Sequence, residues 1–175
     1  MKKELDEKLC AKYPLIFKNR NADMRTTAMC WGFECGDGWY NILDVLCAHL
    51  TNDYNNAKNS YEYTLGNLGK PKWDKTLTTQ EEVNLAKTKM DAAEELVPTA
   101  SQVKEKFGGL RFYTNGATDK HHNYISFAES MSYCICEECG APGKRYTDGW
   151  HQTLCDIHAA MNGKSDEYES DDGEE

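Results

Sequence analysis

Four residues in the last third of the chain have the types and spacing to hold a metal ion. Cys136 and Cys139 are separated by two residues, and so are Cys155 and His158. Zinc takes four such ligands at the corners of a tetrahedron, about 2.3 Å from sulfur and about 2.0–2.1 Å from nitrogen. A two-residue gap lets one turn of backbone aim both cysteines at one ion, and Gly140 frees the chain to turn straight afterwards. Cys155 and His158 stand three apart, so one helical turn points both the same way. Four protein ligands close the coordination sphere, so the chemistry expected here is one structural zinc ion and not a catalytic one.

Other residues invite chemistry less strongly. Cys30, Cys35, Cys47 and His49 offer a second Cys₃His set, but the spacing is loose, and thiols packed under aromatic residues explain them as well. Cys134 competes with Cys136 as a ligand; the two-residue gap favours Cys136. Glu34 and Asp37 lie among Trp31, Phe33, Trp39 and Tyr40, where paired carboxylates can do acid–base work. The plainer expectation is that Asp37 caps a helix and Glu34 is solvated. His121 and His122 read as an exposed polar turn at a helix start. Lys104, Lys106, Arg111, Lys144 and Arg145 form a basic strip interleaved with Phe107, Phe112, Tyr113 and Trp150. That combination suits nucleic acid, and equally suits the outward face of a hairpin. The surface expected to meet a partner comprises Trp31, Glu34, Asp37, Trp39, Arg111, Arg145 and Trp150.

The elements that must position these residues follow from pattern. A first helix runs over 2–13 and stops at Pro14. Residues 26–36 read as a short strand entering a turn at Gly36-Asp37-Gly38. A helix follows, with Ile42, Leu43, Leu46, Cys47 and Leu50 on its buried face. Residues 52–78 are polar and Asn-rich and read as a loop or insertion. Thr79 and Glu82 make a capping box for the next helix, which Pro98 closes. Residues 100–114 read as a hairpin turning on Gly108-Gly109. A helix over 120–133 is expected to turn Tyr124, Phe127, Ala128 and Met131 inward. The sum is an α+β fold, with a small antiparallel sheet and packed helices. Knuckle, hairpin and helix-borne second pair resemble a treble-clef zinc finger at the C-terminal end. The expected organisation is a body over 1–133, a zinc module over 134–162 packed on it, and a disordered acidic tail over 163–175.

Bulk properties narrow the classes. Hydrophobic residues make up 39% of 175, enough for a core that does not depend on metal alone. No run of about 18 apolar residues exists, which excludes a spanning helix. The charged start lacks an apolar core segment, so no signal peptide is expected and the location expected is cytoplasmic. Residues 163–175 hold seven carboxylates and Lys164, a net −6, which leaves −3 of the total −9 on the rest. That balance counts against a general phosphate-binding protein.

Four segments carry a likeness: Lys12-Tyr13-Pro14, the run from Cys30 to Trp39, the run from Gln102 to Tyr113, and the zinc segment. Through them the chain resembles a family of proteins encoded by tailed bacteriophages. The likeness implies no activity and no catalytic residue. It implies a setting, an accessory protein acting in the cytoplasm of an infected bacterium. Together with the closed zinc site and the acidic balance, the function expected is to bind and inhibit or redirect a host protein, as an anti-defence factor or through an acidic surface that imitates DNA. The alternatives are a nucleic-acid-binding zinc-finger module and a metal-dependent nuclease.

Overall fold

The computed structural model describes residues 1–164. Within them the chain is α+β, with six α-helices, a three-stranded sheet and a two-stranded sheet. Helix α1 (Lys3–Lys12) leads into turns that carry Ile16 and Phe17 into the core. The strand expected over 26–36 is mostly replaced by a 3₁₀ turn, Ala28–Trp31, capped by the Thr27 side chain. Only β1 (Phe33–Glu34) is extended. A second 3₁₀ turn, Asp37–Trp39, feeds α2 (Tyr40–Leu50), whose Leu43, Leu46, Cys47 and Leu50 are buried.

Strands β2 (Thr99–Lys106) and β3 (Gly109–Asn115) form the hairpin, with a bulge between Ala100 and Gln102. Its turn is Phe107-Gly108, one residue earlier than expected: both have positive φ, and Gly109 already pairs with Lys106. The sheet is not purely antiparallel either. β1 runs parallel to β2, pairing Phe33 with Val103 and Glu34 with Lys104. The core lies between this sheet and helices α1, α2 and α5 (Asp119–Ser132). Phe17 meets Phe33 and Phe112 edge-on, with ring centroids 5.0 and 6.4 Å apart. The geometry is the one aromatic quadrupoles favour.

Helix α5 is rotated from the expected face: Ala128 is buried and Tyr124 packs half-buried on the core as expected, but not the other two. Its inward residues are His121, Ile125, Ala128 and Ser132, while Phe127 and Met131 face outward. The reason is polar. Ser132 is fully buried because its Oγ accepts from Leu110 N and donates to Glu129 O, and that contact fixes the helix's rotation against β3. His121, expected in an exposed turn, is buried: its Nδ1 accepts from Thr118 N, and Thr118 Oγ1 accepts from His121 N. The same burial pushes the His121 pKa down.

Residues 52–78 are not one loop. Asn52–Gly66 form α3, which pairs with α4 (Gln80–Glu95) as a two-helix arm. The seam of α3 is Tyr54, Ala57, Tyr61 and Thr64, and that of α4 is Val83, Ala86, Met90 and Ala93. Both follow a 3,4,3 spacing, so each helix turns one stripe towards its partner. The Thr79–Glu82 capping box is present. The tip, 67–79, is a tight turn that leaves Trp73 97% exposed. Beyond the body come β4 (Lys144–Tyr146), β5 (Gln152–Leu154) and α6 (Asp156–Met161). Gly163 and Lys164, counted above with the tail, close α6: Lys164 N donates to Ala159 O, and its Nζ reaches the carbonyls of Asp148 and Trp150. The rest of the expected acidic tail lies outside the described residues. No helix among those described is long and apolar enough to cross a membrane.

Candidate metal centre

The C-terminal unit has a core of only Cys136, Tyr146, Leu154 and Ala159, with Cys155 against it. That is little apolar surface for about thirty residues, and such units lean on a metal. The backbone builds a knuckle around the first cysteine pair. Cys136 N donates to Ala141 O, Gly140 N to Cys136 O, and Gly140 takes φ +78°, which an L side chain resists. The N–H groups of Cys155, Cys139 and Glu138 favour the Cys136 thiolate against the burial that opposes it. The β4–β5 hairpin then returns the chain so that Cys155, one residue before α6, and His158, inside it, face the knuckle.

The ligand atoms of Cys136, Cys139, Cys155 and His158 all lie within 4.8 Å of one another. Cys139 Sγ is 3.8 Å from Cys155 Sγ. His158 Nδ1 is 3.5 Å from Cys136 Sγ and 3.3 Å from Cys155 Sγ. A tetrahedral ion with the sulfur and nitrogen distances given above would set edges of about 3.8 Å between sulfurs and about 3.6 Å from sulfur to nitrogen. The measured separations match those edges, so this Cys₃His group can hold one metal ion. The thiols differ in readiness. Burial pushes Cys136 up, whereas the His158 N–H, and after it the neighbouring ligand side chains, bring Cys155 down to about 7. A metal would override both, since it binds thiolates.

No second metal-sized cluster forms among the described residues. Burial pushes Cys35 up to about 12 and raises Cys47 well above the ordinary thiol value. Cys30 donates to Thr27 O, and His49 stacks on Tyr124 with ring centroids 5.0 Å apart. Cys134 is exposed and stands outside the ligand group.

The knuckle is fastened to the body by main-chain contacts. Gly38 N donates to Glu137 O at 2.7 Å, and Gly36 N to Glu137 Oε1 at 2.8 Å. A Cβ built on Gly38 would stand 2.2 Å from Cys136 O, and one on Gly36 2.3 Å from Glu137 O. Only glycine permits so close an approach, which accounts for the Gly36-Asp37-Gly38 run. Burial raises the Glu137 pKa, partly offset by that Gly36 N–H. On the other side Thr153 Oγ1 donates to Gly108 O and Arg145 Nε to Phe107 O, tying β4–β5 to the β2–β3 turn.

The residues expected on a partner surface divide. Trp39 does not belong there: it is 0% exposed, and its Nε1 donates to Ile135 O, 96 residues away. A buried indole must satisfy its N–H, and the residue leading into the knuckle supplies the carbonyl. Asp37 caps no helix; its carboxylate accepts from Lys2 N and pairs with Lys2 Nζ, which holds its pKa down. Glu34 accepts from Gln102 Nε2 on the sheet edge. Trp31 is exposed on its 3₁₀ turn. Arg111 and Arg145 both lie over the Tyr133 ring, at 5.9 and 5.3 Å, and Arg145 continues to His151 Nδ1 at 3.0 Å. Trp150 is 73% exposed beside that cluster. Sequence reasoning passed over Gly36, Gly38, Glu137 and Thr153 as site-forming residues. Only the paired glycines carried a local signal. The chain matches no protein-family model, no curated protein and no solved structure.

Proposed function

We propose that the chain is a zinc-stabilised binding protein whose partner is another protein, and that it acts without chemistry of its own. Zinc is the ion the donor set favours: three soft thiolates and one imidazole at tetrahedral spacing. Knuckle, hairpin and helix-borne pair support a treble-clef reading of that unit. The ion's role is to stiffen the C-terminal unit and, through Gly36 and Gly38, the body.

One observation carries the protein-binding reading. An open apolar trough of about 520 Å³ runs between α2 and α5, lined by Ile42, Val45, Tyr124, Phe127 and Met131 among others. Ile42, Val45 and His49 repeat at three and four on α2, and Tyr124, Phe127 and Met131 do so on α5. These are outward seams at the spacing by which helices pack, and together they leave a place for a third. The occupant that fits is an amphipathic helix of a partner protein, laid apolar face down. The resemblance to phage proteins points to a host bacterial protein as that partner, with inhibition or redirection as the outcome.

The test is affinity capture from bacterial lysate after nuclease treatment, comparing the parent chain with a Val45→Glu, Phe127→Glu double variant. Both positions are exposed, so the variant should keep its metal and its melting temperature. One dominant protein held by the parent and lost by the variant supports the reading. Capture that survives both substitutions sinks the trough as the docking face, and capture lost to nuclease alone points to nucleic acid.

A further inference from the structure

A second surface differs from the trough in setting lysines beside its aromatics. Between the β2–β3 turn and the β4–β5 turn lies an open cleft of about 420 Å³, a size that takes a nucleotide. Phe107, Trp150 and His151 form part of its wall, and Lys104 and Lys106 another part. Lys104 and Lys106 thus stand against a single carboxylate, that of Glu105, in the lining. The Glu105 carboxylate is engaged by Gly108 N at 2.6 Å.

The cleft is built, not incidental. Phe107 takes φ +55°, the left-handed region that a bulky L-residue adopts only when its surroundings enforce it. Its carbonyl accepts from Arg145 Nε, and the next carbonyl, that of Gly108, from the buried Thr153 Oγ1 at 2.6 Å. The fold thus pins a strained turn from behind while the Phe107 ring stays 59% exposed. Lys106 Nζ sits 5.3 Å from that ring's centroid, and the His151 ring meets it edge-on at 6.3 Å. The Arg145 guanidinium donates to His151 Nδ1, so that nitrogen carries no proton and the ring orientation is fixed. On the opposite lip, Lys164 Nζ holds the Trp150 carbonyl at 2.5 Å.

We propose that this cleft binds single-stranded nucleic acid, with bases stacked on Phe107 and Trp150 and phosphates met by Lys104 and Lys106. Rigid exposed aromatics interleaved with cations are the combination that grips unpaired strands irrespective of sequence. A duplex keeps its bases stacked inside and offers these rings nothing. The proposal does not depend on the α2–α5 trough, and either can fail alone.

The test is fluorescence anisotropy of a labelled oligothymidylate of about fifteen nucleotides, and of a duplex of the same length, titrated with metal-loaded full-length protein. Binding of the single strand at about 50 mM salt, weaker at about 200 mM and weaker still for duplex, is expected. Phe107→Gly relieves the strained φ and leaves the turn intact, yet should weaken binding about five- to a hundredfold, and Trp150→Ala likewise. Lys104→Gln with Lys106→Gln should flatten the slope of log affinity against log salt by about 1.4. Absence of binding at about 50 mM salt overturns the proposal, as does equal affinity for duplex. Affinity untouched by both aromatic substitutions overturns it too. If polyglutamate competes as well as the oligonucleotide, the cleft is a general acidic-ligand surface and the proposal fails.

Discussion

At the scale of single residues, the four ligands were legible because their chemistry dictates their spacing, and the structure gathers them within 4.8 Å. Replacing Cys139 by Ser should remove stoichiometric metal and lower the melting temperature by about 10 °C or more, measured by metal analysis and calorimetry on one preparation. A variant that keeps both would refute the ligand assignment. Gly38 was legible only as a turn. What the sequence conceals is that Cys136 O, about a hundred residues away, stands where a Cβ would go. Gly38→Ala should therefore cost about 3 kcal/mol, read from chemical denaturation, although it removes no contact. His121 was misread for a similar reason: a histidine beside a helix start looks solvated until Thr118 claims its Nδ1. Its folded pKa lies below the ordinary 6.5, so below that value the unfolded chain takes up the proton first. Stability should then rise with pH between the depressed folded pKa and 6.5, and His121→Gln should flatten that part of the denaturation profile.

At the scale of elements, α1, α2, α4 and the β2–β3 hairpin were readable because each has an apolar rhythm and a stop. Helix α3 was not read, although Tyr54, Ala57, Tyr61 and Thr64 keep helical spacing. Asn55, Asn56, Lys58, Asn59, Ser60 and Glu62 fill most positions between, and the stripe is only half-buried, mostly against α4, so nothing marks it as a core helix. The rotation of α5 was missed because Ser132, a polar residue, decides it. The arm's dependence on its own seam gives a local prediction. Val83 is the one buried residue of α4, and Val83→Ala should cost about 1–2 kcal/mol. Amide exchange should quicken across α3 and α4 while β2, β3 and the metal remain as they were. Exchange that quickens equally in the sheet would mean that the arm and body unfold as one.

At the scale of the whole molecule, the metal unit and the body share their backbone hydrogen bonds, which no local pattern announces. Removing the ion with a chelator should therefore loosen residues 36–39 and the Phe107-Gly108 turn as well as residues 134–162, as amide exchange can show. Loosening confined to 134–162 would mean that the body holds those turns unaided. The same fastening has a consequence in time. Gly36 and its partner Glu137 are 101 residues apart, and Trp39 waits for a carbonyl 96 residues ahead. At a synthesis rate of about 5–20 residues per second, the ribosome delivers that partner about 5–20 s after the indole emerges. Through that interval the helical arm can zip from neighbours already made, while the aromatic heart of the body stays open. A segment made about a hundred residues later is thus the one that closes the first.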